Sequence, residues 1–216
     1  MSYKEKIAVR AAREVQSGQV INLGIGIPTM IPRYLPEGMG IWVHSENGIL
    51  GMGLRCRRGT EDRNLIDAGG NYVTLVPGAS FFDSALSFAL VRGGRLDVAF
   101  LGALEISKNG DLANWIIPGK HAPGIGGGME LAQKARRVIV TTTHTTRNGQ
   151  PKILNRCTLP LTAKGCVDLI ITEQAVIEVS ADGLRLKEIA SDTSVDQVVA
   201  NTAADLIIPD GDLPKF

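Results

Sequence analysis

Trp42-Val43-His44-Ser45-Glu46-Asn47-Gly48-Ile49-Leu50-Gly51-Met52-Gly53 is the stretch around which this chain is organised. It opens as an apolar strand, Ile41 to Val43, and turns sharply through polar residues and glycines. One carboxylate, Glu46, stands at the turn. A strand ending in such a turn holds a reactive side chain clear of the sheet on a rigid support. Ser45 and Asn47 give Glu46 hydrogen-bonding neighbours but no adjacent cation. That setting suits an ionised carboxylate acting as a nucleophile; it also suits a solvated loop glutamate. His44 invites a general-base role. A strand residue two positions before Glu46 shares its face only if the alternation persists through the turn, so a hydrogen-bonded strand histidine is the simpler reading.

Outward from this stretch the chain alternates short apolar strands with helices. Ser2 to Gln16 reads as a helix, with Ser2 and Glu5 at capping-box spacing and Ile7, Ala8, Ala11 and Val15 on one face. Gln19 to Leu23 reads as a strand. It runs into Gly24-Ile25-Gly26-Ile27-Pro28-Thr29, whose glycines let backbone approach a ligand or simply turn the chain. The dinucleotide fingerprint fails there, because Thr29 stands where its third glycine belongs. A short helix begins at Pro32 and ends before Pro36. Asn71 to Val76 is a strand, Pro77-Gly78-Ala79-Ser80 a turn, Phe82 to Arg92 a helix. Leu96 to Leu101 is apolar enough for a parallel strand covered on both faces. Lys108-Asn109-Gly110-Asp111 predicts a hairpin, with Asn-Gly supplying positive φ angles.

Pro123-Gly124-Ile125-Gly126-Gly127-Gly128 precedes a predicted helix over Met129 to Ala135. A glycine loop opening onto a helix concentrates free N–H donors, the chemistry that stabilises an oxyanion. So many glycines are costly to order without a use. Arg137 to Thr142, Val167 to Thr172, Ala175 to Val179, Leu184 to Ile189 and Leu206 to Ile208 read as strands. Ser194 caps a last helix to Asn201. Such alternation predicts an α/β layer fold. Neither repeats nor low-complexity linkers interrupt it, so residues 1–216 read as one domain.

Composition narrows the function classes. With 216 residues, 44% of them apolar, the chain can bury a substantial core. A net charge of +1 and 5% aromatics argue against nucleic-acid and membrane-surface roles. The three cysteines, Cys56, Cys157 and Cys166, form no CxxC pair, so no disulfide framework or metal site follows and a reducing cytoplasm is the simplest home. The basic knot Arg55-Cys56-Arg57-Arg58 admits two readings: a surface loop, or a contact for anionic phosphates beside an activated thiol.

Several blocks together resemble one family. They are Ser45-Glu46-Asn47-Gly48 with the following Ile-Leu-Gly-Met-Gly, Asn22-Leu23-Gly24-Ile25-Gly26-Ile27-Pro28-Thr29, and Pro77-Gly78-Ala79-Ser80-Phe81-Phe82. Ala113-Asn114-Trp115-Ile116-Ile117-Pro118-Gly119-Lys120, Gly126-Gly127-Gly128-Met129-Glu130 and Cys157-Thr158-Leu159-Pro160-Leu161-Thr162 complete the set. In this order they resemble the beta subunit of the 3-oxoacid CoA-transferases, the family I CoA-transferases. The resemblance implies an open twisted, largely parallel sheet covered by helices, a fold shared with ribose-phosphate isomerases. It implies coenzyme A thioesters as substrates, no permanently bound cofactor and no metal. It places the nucleophile on Glu46 and an oxyanion N–H on Gly127, with Gly24, Ile25, Gly26, Asn47, Gly124, Gly126 and Gly128 around the coenzyme. It further implies ping-pong transfer between acyl-CoA and carboxylic acid, and an alpha-subunit partner in a heterodimer or heterotetramer. The blocks lie nearer the succinyl-CoA:3-ketoacid type than the acetate/butyrate type. Ketone-body use and fatty-acid degradation both remain open as the setting. An acyl-CoA hydrolase and a non-catalytic ligand sensor are the competing classes.

Overall fold

The computed structural model describes residues 1–119 and 124–216. Lys120 and Pro123, which belong to two of the blocks above, lie outside the described residues. Helix α1 (Tyr3–Ala12) starts where its capping box predicts: Ser2 Oγ accepts from the Glu5 N–H, and the Glu5 carboxylate accepts the Ser2 N–H at 2.7 Å. It ends earlier than expected, because residues 13–15 tighten into i→i−3 hydrogen bonds. Strand β1 (Val20–Leu23) leads through Gly26, at φ 100°, into a 3-10 helix at Ile27–Tyr34. That helix begins well before the predicted Pro32, since Pro28 is tolerated in a first turn.

Strands β2 (Trp42–Ser45) and β3 (Ile49–Arg55) form an antiparallel hairpin, with Ser45 opposite Ile49. Strand β4 (Val73–Phe81) pairs with β3 on either side of Pro77-Gly78, which the sequence pattern makes a turn. Leu50 lies opposite Ser80 but Met52 opposite Leu75, so the residues between bulge out, with Gly78 at φ 88°, without ending the strand. The reason is position. β4 is an edge of the sheet, where a missing proline N–H costs no ladder bond. Helix α2 (Ser84–Arg92) starts behind Asp83, whose carboxylate accepts the Leu86 N–H at 2.8 Å.

Strand β5 (Val98–Leu101) is followed by β6 (Glu105–Ser107) and β7 (Leu112–Ala113). In the β6–β7 hairpin only Gly110 has positive φ, 78°, and among the described residues no non-glycine does. The Gly110 N–H bonds the Ser107 carbonyl, so Lys108-Asn109-Gly110 is a three-residue loop closed by a left-handed glycine, not the two-residue Asn-Gly turn expected. The remaining elements are α3 (Gly128–Lys134), β8 (Arg137–Thr141), β9 (Ile153–Leu154), β10 (Leu169–Ile171), β11 (Ala175–Ser180), β12 (Gly183–Ile189), α4 (Val195–Ala200) and β13 (Leu206–Ile207).

Ten strands make one sheet in the order β13-β12-β11-β10-β8-β5-β1-β2-β3-β4. Its centre, β10-β8-β5-β1-β2, is all parallel; on one side β11 is antiparallel to β10 and β12, with β13 parallel to β12, and on the other β3 is antiparallel to β2 and β4. A small sheet, β7-β6-β9, stands apart. The apolar run of β5 is divided between two cores. Val98 and Phe100 join Ile7, Ala8, Ala11 and Ile139 under α1, while Ala99 and Leu101 join Leu131, Val138 and Val140 on the opposite face. This two-sided burial is why the parallel strands read as continuous hydrophobic runs. The order in which strands are added reverses at β1, with β2 next to it on one side and β5 on the other. Crevices at the carboxyl ends of strands flanking such a switch are where open α/β sheets bind ligands.

Candidate active site

A cavity of about 530 Å³ opens at this switch point. Glu46 lies on its wall, at the tip of the β2–β3 hairpin, half-buried. The tip is built without slack. The Gly48 N–H bonds the Ser45 carbonyl at 3.0 Å, and Gly48 has φ 116°. A Cβ at Gly48 would lie 1.9 Å from the Phe82 carbonyl oxygen, so no other residue fits. Ser45 Oγ donates to Asn47 Oδ1 at 2.7 Å and accepts the Ala68 N–H at 3.1 Å. Asn47 Nδ2 donates to the Ile66 carbonyl at 2.8 Å. These bonds staple the tip to residues 66–68 and fix the direction of the Glu46 side chain.

Electrostatically the carboxylate is nearly alone. Among the described residues Glu46 makes no ion pair. One donor reaches it: Asn22 Nδ2, 3.3 Å from Oε2. Asn22 is 1% exposed, and the same amide nitrogen also donates to the His44 carbonyl at 3.2 Å. Its Oδ1 is buried with no hydrogen-bond partner among the described residues. Asn22 stands in one of the family blocks, yet sequence reasoning gives it no role. The available signal was an amide in the otherwise apolar, buried strand Val20–Leu23.

His44 is buried at the base of the hairpin tip and is among the residues lining the cavity. Its Nε2 lies 2.9 Å from Ser87 Oγ, its Nδ1 3.3 Å from Asn22 Nδ2, and its ring stacks on Phe82 at 6.3 Å. Burial pulls its pKa below the ordinary imidazole value, against the opposing pull of Glu46. A neutral ring accepts from Asn22 at Nδ1 and donates to Ser87 from Nε2, while the two protons of the Asn22 amide are shared among His44 Nδ1, the His44 carbonyl and Glu46, so His44 helps orient the amide that touches Glu46.

The glycine loop closes the opposite wall. Gly124, Gly126, Gly127 and Gly128 line the same cavity as Glu46, together with Gly24 and Ile25. A Cβ on Gly127 would come within 3.4 Å of Glu46 Cγ and 2.8 Å of Phe88 Cζ. Glycine is therefore what lets backbone approach the carboxylate at that point. The Gly127 N–H makes no hydrogen bond to another described residue. Gly24 packs tightly for a second reason, its missing Cβ clearing the Phe100 carbonyl oxygen by only 3.1 Å. Asn47 and Gly26 do not line the cavity: Asn47 is spent on the staple, and Gly26 turns the chain into the 3-10 helix. Trp115 is a wall residue anchored by Nε1 on the Leu161 carbonyl.

Other candidates fall away from this site. Arg55, Arg57 and Arg58 are exposed, and neither they nor Cys56 line the cavity. A concavity of about 550 Å³ between the 3-10 helix and β2–β4 is apolar and lacks Glu46. Among the described residues no cluster of His, Cys, Asp or Glu is placed to hold a metal, and no helix is long and apolar enough to cross a membrane.

Comparison with known proteins adds an independent line. Residues 4–201 match the family model described as coenzyme A transferase. The probable coenzyme A transferase beta subunit of Bacillus subtilis is 51% identical, over 95% of this chain and 94% of its own length. One subunit of the succinyl-CoA:3-ketoacid coenzyme A transferase of Helicobacter pylori is 48% identical, over 94% and 97%. The acetate CoA-transferase beta subunit of Escherichia coli is 45% identical, over 99% and 100%. Among solved structures, an acyl-CoA transferase of E. coli O157:H7 superposes with TM-score 0.79 at 23% identity, covering all of this chain and 43% of the other.

Proposed function

We propose, on the premise that this chain belongs to the coenzyme A transferase family and is a CoA-transferase beta subunit, that it carries the nucleophile of an enzyme moving CoA from succinyl-CoA to a 3-oxoacid such as acetoacetate. The observation that carries this reading is Glu46 itself: a carboxylate on a rigid tip, without a counter-cation among the described residues, beside the backbone of Gly127.

In the proposed reaction the Glu46 carboxylate attacks the thioester carbonyl. CoA thiolate leaves, and an acyl-glutamyl anhydride forms. The thiolate then attacks the glutamyl carbonyl, giving a glutamyl-CoA thioester and releasing the free acid. The acceptor carboxylate runs the same steps backwards. Each tetrahedral stage places negative charge on a carbonyl oxygen, for which the Gly127 N–H is the available preorganised donor. Covalent exchange keeps the thioester energy, so water must be excluded. The cavity as it stands is open, and Phe81, Leu86 and Met129, on the elements around Glu46 and Gly127, are 61%, 50% and 42% exposed. This supports an alpha-subunit partner that closes the site and adds a further oxyanion contact. The relatives are themselves named as single subunits of larger enzymes, which supports the same arrangement. The three unpaired cysteines fit a cytoplasmic setting.

The names of the relatives favour a second reading as well, with acetate as a substrate acid, since one belongs to an acetate CoA-transferase. Borohydride trapping tests the mechanism for either substrate pair. The complex of this chain with its partner is incubated with acyl-CoA, reduced and digested. Reduction of a Glu46 thioester to the alcohol lowers the mass of the Ser45–Gly48 peptide by about 14 Da. An unmodified Glu46 in an active complex sinks the covalent reading. Release of free CoA without an acceptor would favour the hydrolase.

A further inference from the structure

A second, smaller cavity of about 190 Å³ lies beside the first. Its polar lining is Tyr3, Lys4, Lys152, Thr141, Thr142 and Thr143, and among the described residues no carboxylate lines it. Lys152 is half-buried, and its Nζ reaches one protein acceptor, Thr142 Oγ1 at 2.9 Å. Burial lowers its pKa, with Glu173 pulling the other way. The Glu173 carboxylate is engaged elsewhere, accepting the His144 N–H at 3.1 Å and Gln174 Nε2 at 3.3 Å. Among the described residues Lys152 forms no ion pair. Thr141 is 1% exposed, and its Oγ1 has no hydrogen-bond partner there. A half-buried ammonium with spare N–H groups, lining the same cavity as an orphaned hydroxyl, is an arrangement that an anion completes.

The place of this cavity in the sheet says which anion. Strands β2, β1, β5 and β8 are adjacent and parallel. Their carboxyl ends lead in turn to Glu46, to Gly24-Ile25, to Gly102, and to Thr141–Thr143. Ile25, Gly102 and Ala103 line both cavities, so the two adjoin along this edge. Three strand spacings separate the Glu46 end from the Thr141 end, roughly 14 Å. A short acyl group does not span that distance. The pantetheine arm of CoA, two amide units with their linkers, is about as long as four extended peptide residues, again roughly 14 Å.

We propose that the Lys152–Thr141 cavity is the subsite for the phosphates of the coenzyme, with the pantetheine arm laid across the ends of β1 and β5. The assignment rests on the reading that CoA sulfur is delivered to Glu46. Lys152 supplies a charge-assisted hydrogen bond, and Thr141 donates its free hydroxyl proton.

Steady-state kinetics of the complex with its partner test this, using an acyl-CoA and the same acyl-pantetheine, which has no phosphate. Lys152→Met is expected to raise KM for the acyl-CoA roughly 10- to 100-fold. It should leave kcat and the KM for the acyl-pantetheine unchanged, and Lys152→Arg should restore most of the loss. Thr141→Val should raise the same ratio by a smaller factor; if Lys152→Met fails to fold, this variant decides. Dephospho-CoA separates the two phosphate sources. Wild-type behaviour like CoA assigns the pyrophosphate, and an already raised KM assigns the 3′-phosphate. An equal penalty on both thioesters, or none on either, overturns the subsite. Glu46→Ala keeps the two readings apart: it should abolish transfer while calorimetric CoA affinity and its dependence on Lys152 persist. Transfer surviving in Glu46→Ala breaks the nucleophile reading and leaves the Lys152 result to stand on its own.

Discussion

Two carboxylate-bearing regions of this molecule are built on opposite principles. Behind α1, Arg10 is 5% exposed and donates to both oxygens of Glu188, at 2.7 and 2.6 Å, and to Glu14 at 2.7 Å. Arg137 closes the network on the other Glu14 oxygen at 2.8 Å. Burial alone would lower the Arg10 pKa and raise that of Glu14; the mutual bonds outweigh it, holding Arg10 above and Glu14 below their ordinary values. At the hairpin tip, Glu46 has, among the described residues, a single amide at 3.3 Å and no ion-pair partner. A neutralised carboxylate fastens the fold but is a poor nucleophile. A carboxylate left unpaired stabilises nothing and keeps its lone pairs for a substrate.

That contrast predicts a clean split between chemistry and stability. Glu46→Gln should cut kcat by a factor on the order of 10⁴, with a urea midpoint within error of wild type. A matching loss of stability would show that Glu46 belongs to the structural class after all. Arg10→Met should do the reverse. It strands Glu188, leaves Glu14 with Arg137 alone, and should cost roughly 3–5 kcal/mol by chemical denaturation, while activity per folded molecule stays unchanged.

A third polar site sharpens the comparison through pH. His144 is fully buried between Thr172 Oγ1 and Thr202 Oγ1, each at 2.9 Å. Burial lowers its pKa from the ordinary 6.5 to about 4. Between those values the unfolded chain binds a proton that the folded chain refuses. Stability should therefore be flat above the upper value and fall as pH drops from it toward the lower, by roughly 3 kcal/mol at most. His44 is shifted in the same direction and adds to the slope. Urea midpoints measured at neutral and acid pH check this; a flat profile would mean the rings take up protons without cost. The smallest effect concerns the glycine facing Glu46. Gly127→Ala must displace the Phe88 ring and touches Glu46 Cγ, so we expect a loss of roughly 10-fold in kcat, a fraction of what removing an oxyanion donor costs. An unchanged kcat would detach the loop from the reacting carbonyl.

The sequence alone determined what depends on neighbours along the chain. Ser2 and Ser194 cap helices because their partners, Glu5 and Gln197, lie three residues on. The apolar run before Leu101 marks a strand buried on both faces, and Glu46 sits at a glycine turn, as read. The family blocks were legible for the same reason, since each is a short contiguous string. Local signals misled where the tertiary setting overrules them. Pro77-Gly78 reads as a turn, yet the chain only bulges there, between Leu75 and Ser80, and continues as the edge strand β4. Asn109-Gly110 reads as a two-residue turn, but the pairing of β6 with β7 leaves a third residue in the loop. Only the tertiary structure brought Gly127 to Glu46 and gave Asn22 its place between His44 and Glu46. It alone lined up the ends of β2, β1, β5 and β8 so that Lys152 shares an edge with the hairpin tip. Those contacts join residues far apart in the chain. Strand order and register set them, and both come from packing the whole sheet between its helices rather than from any one segment's pattern.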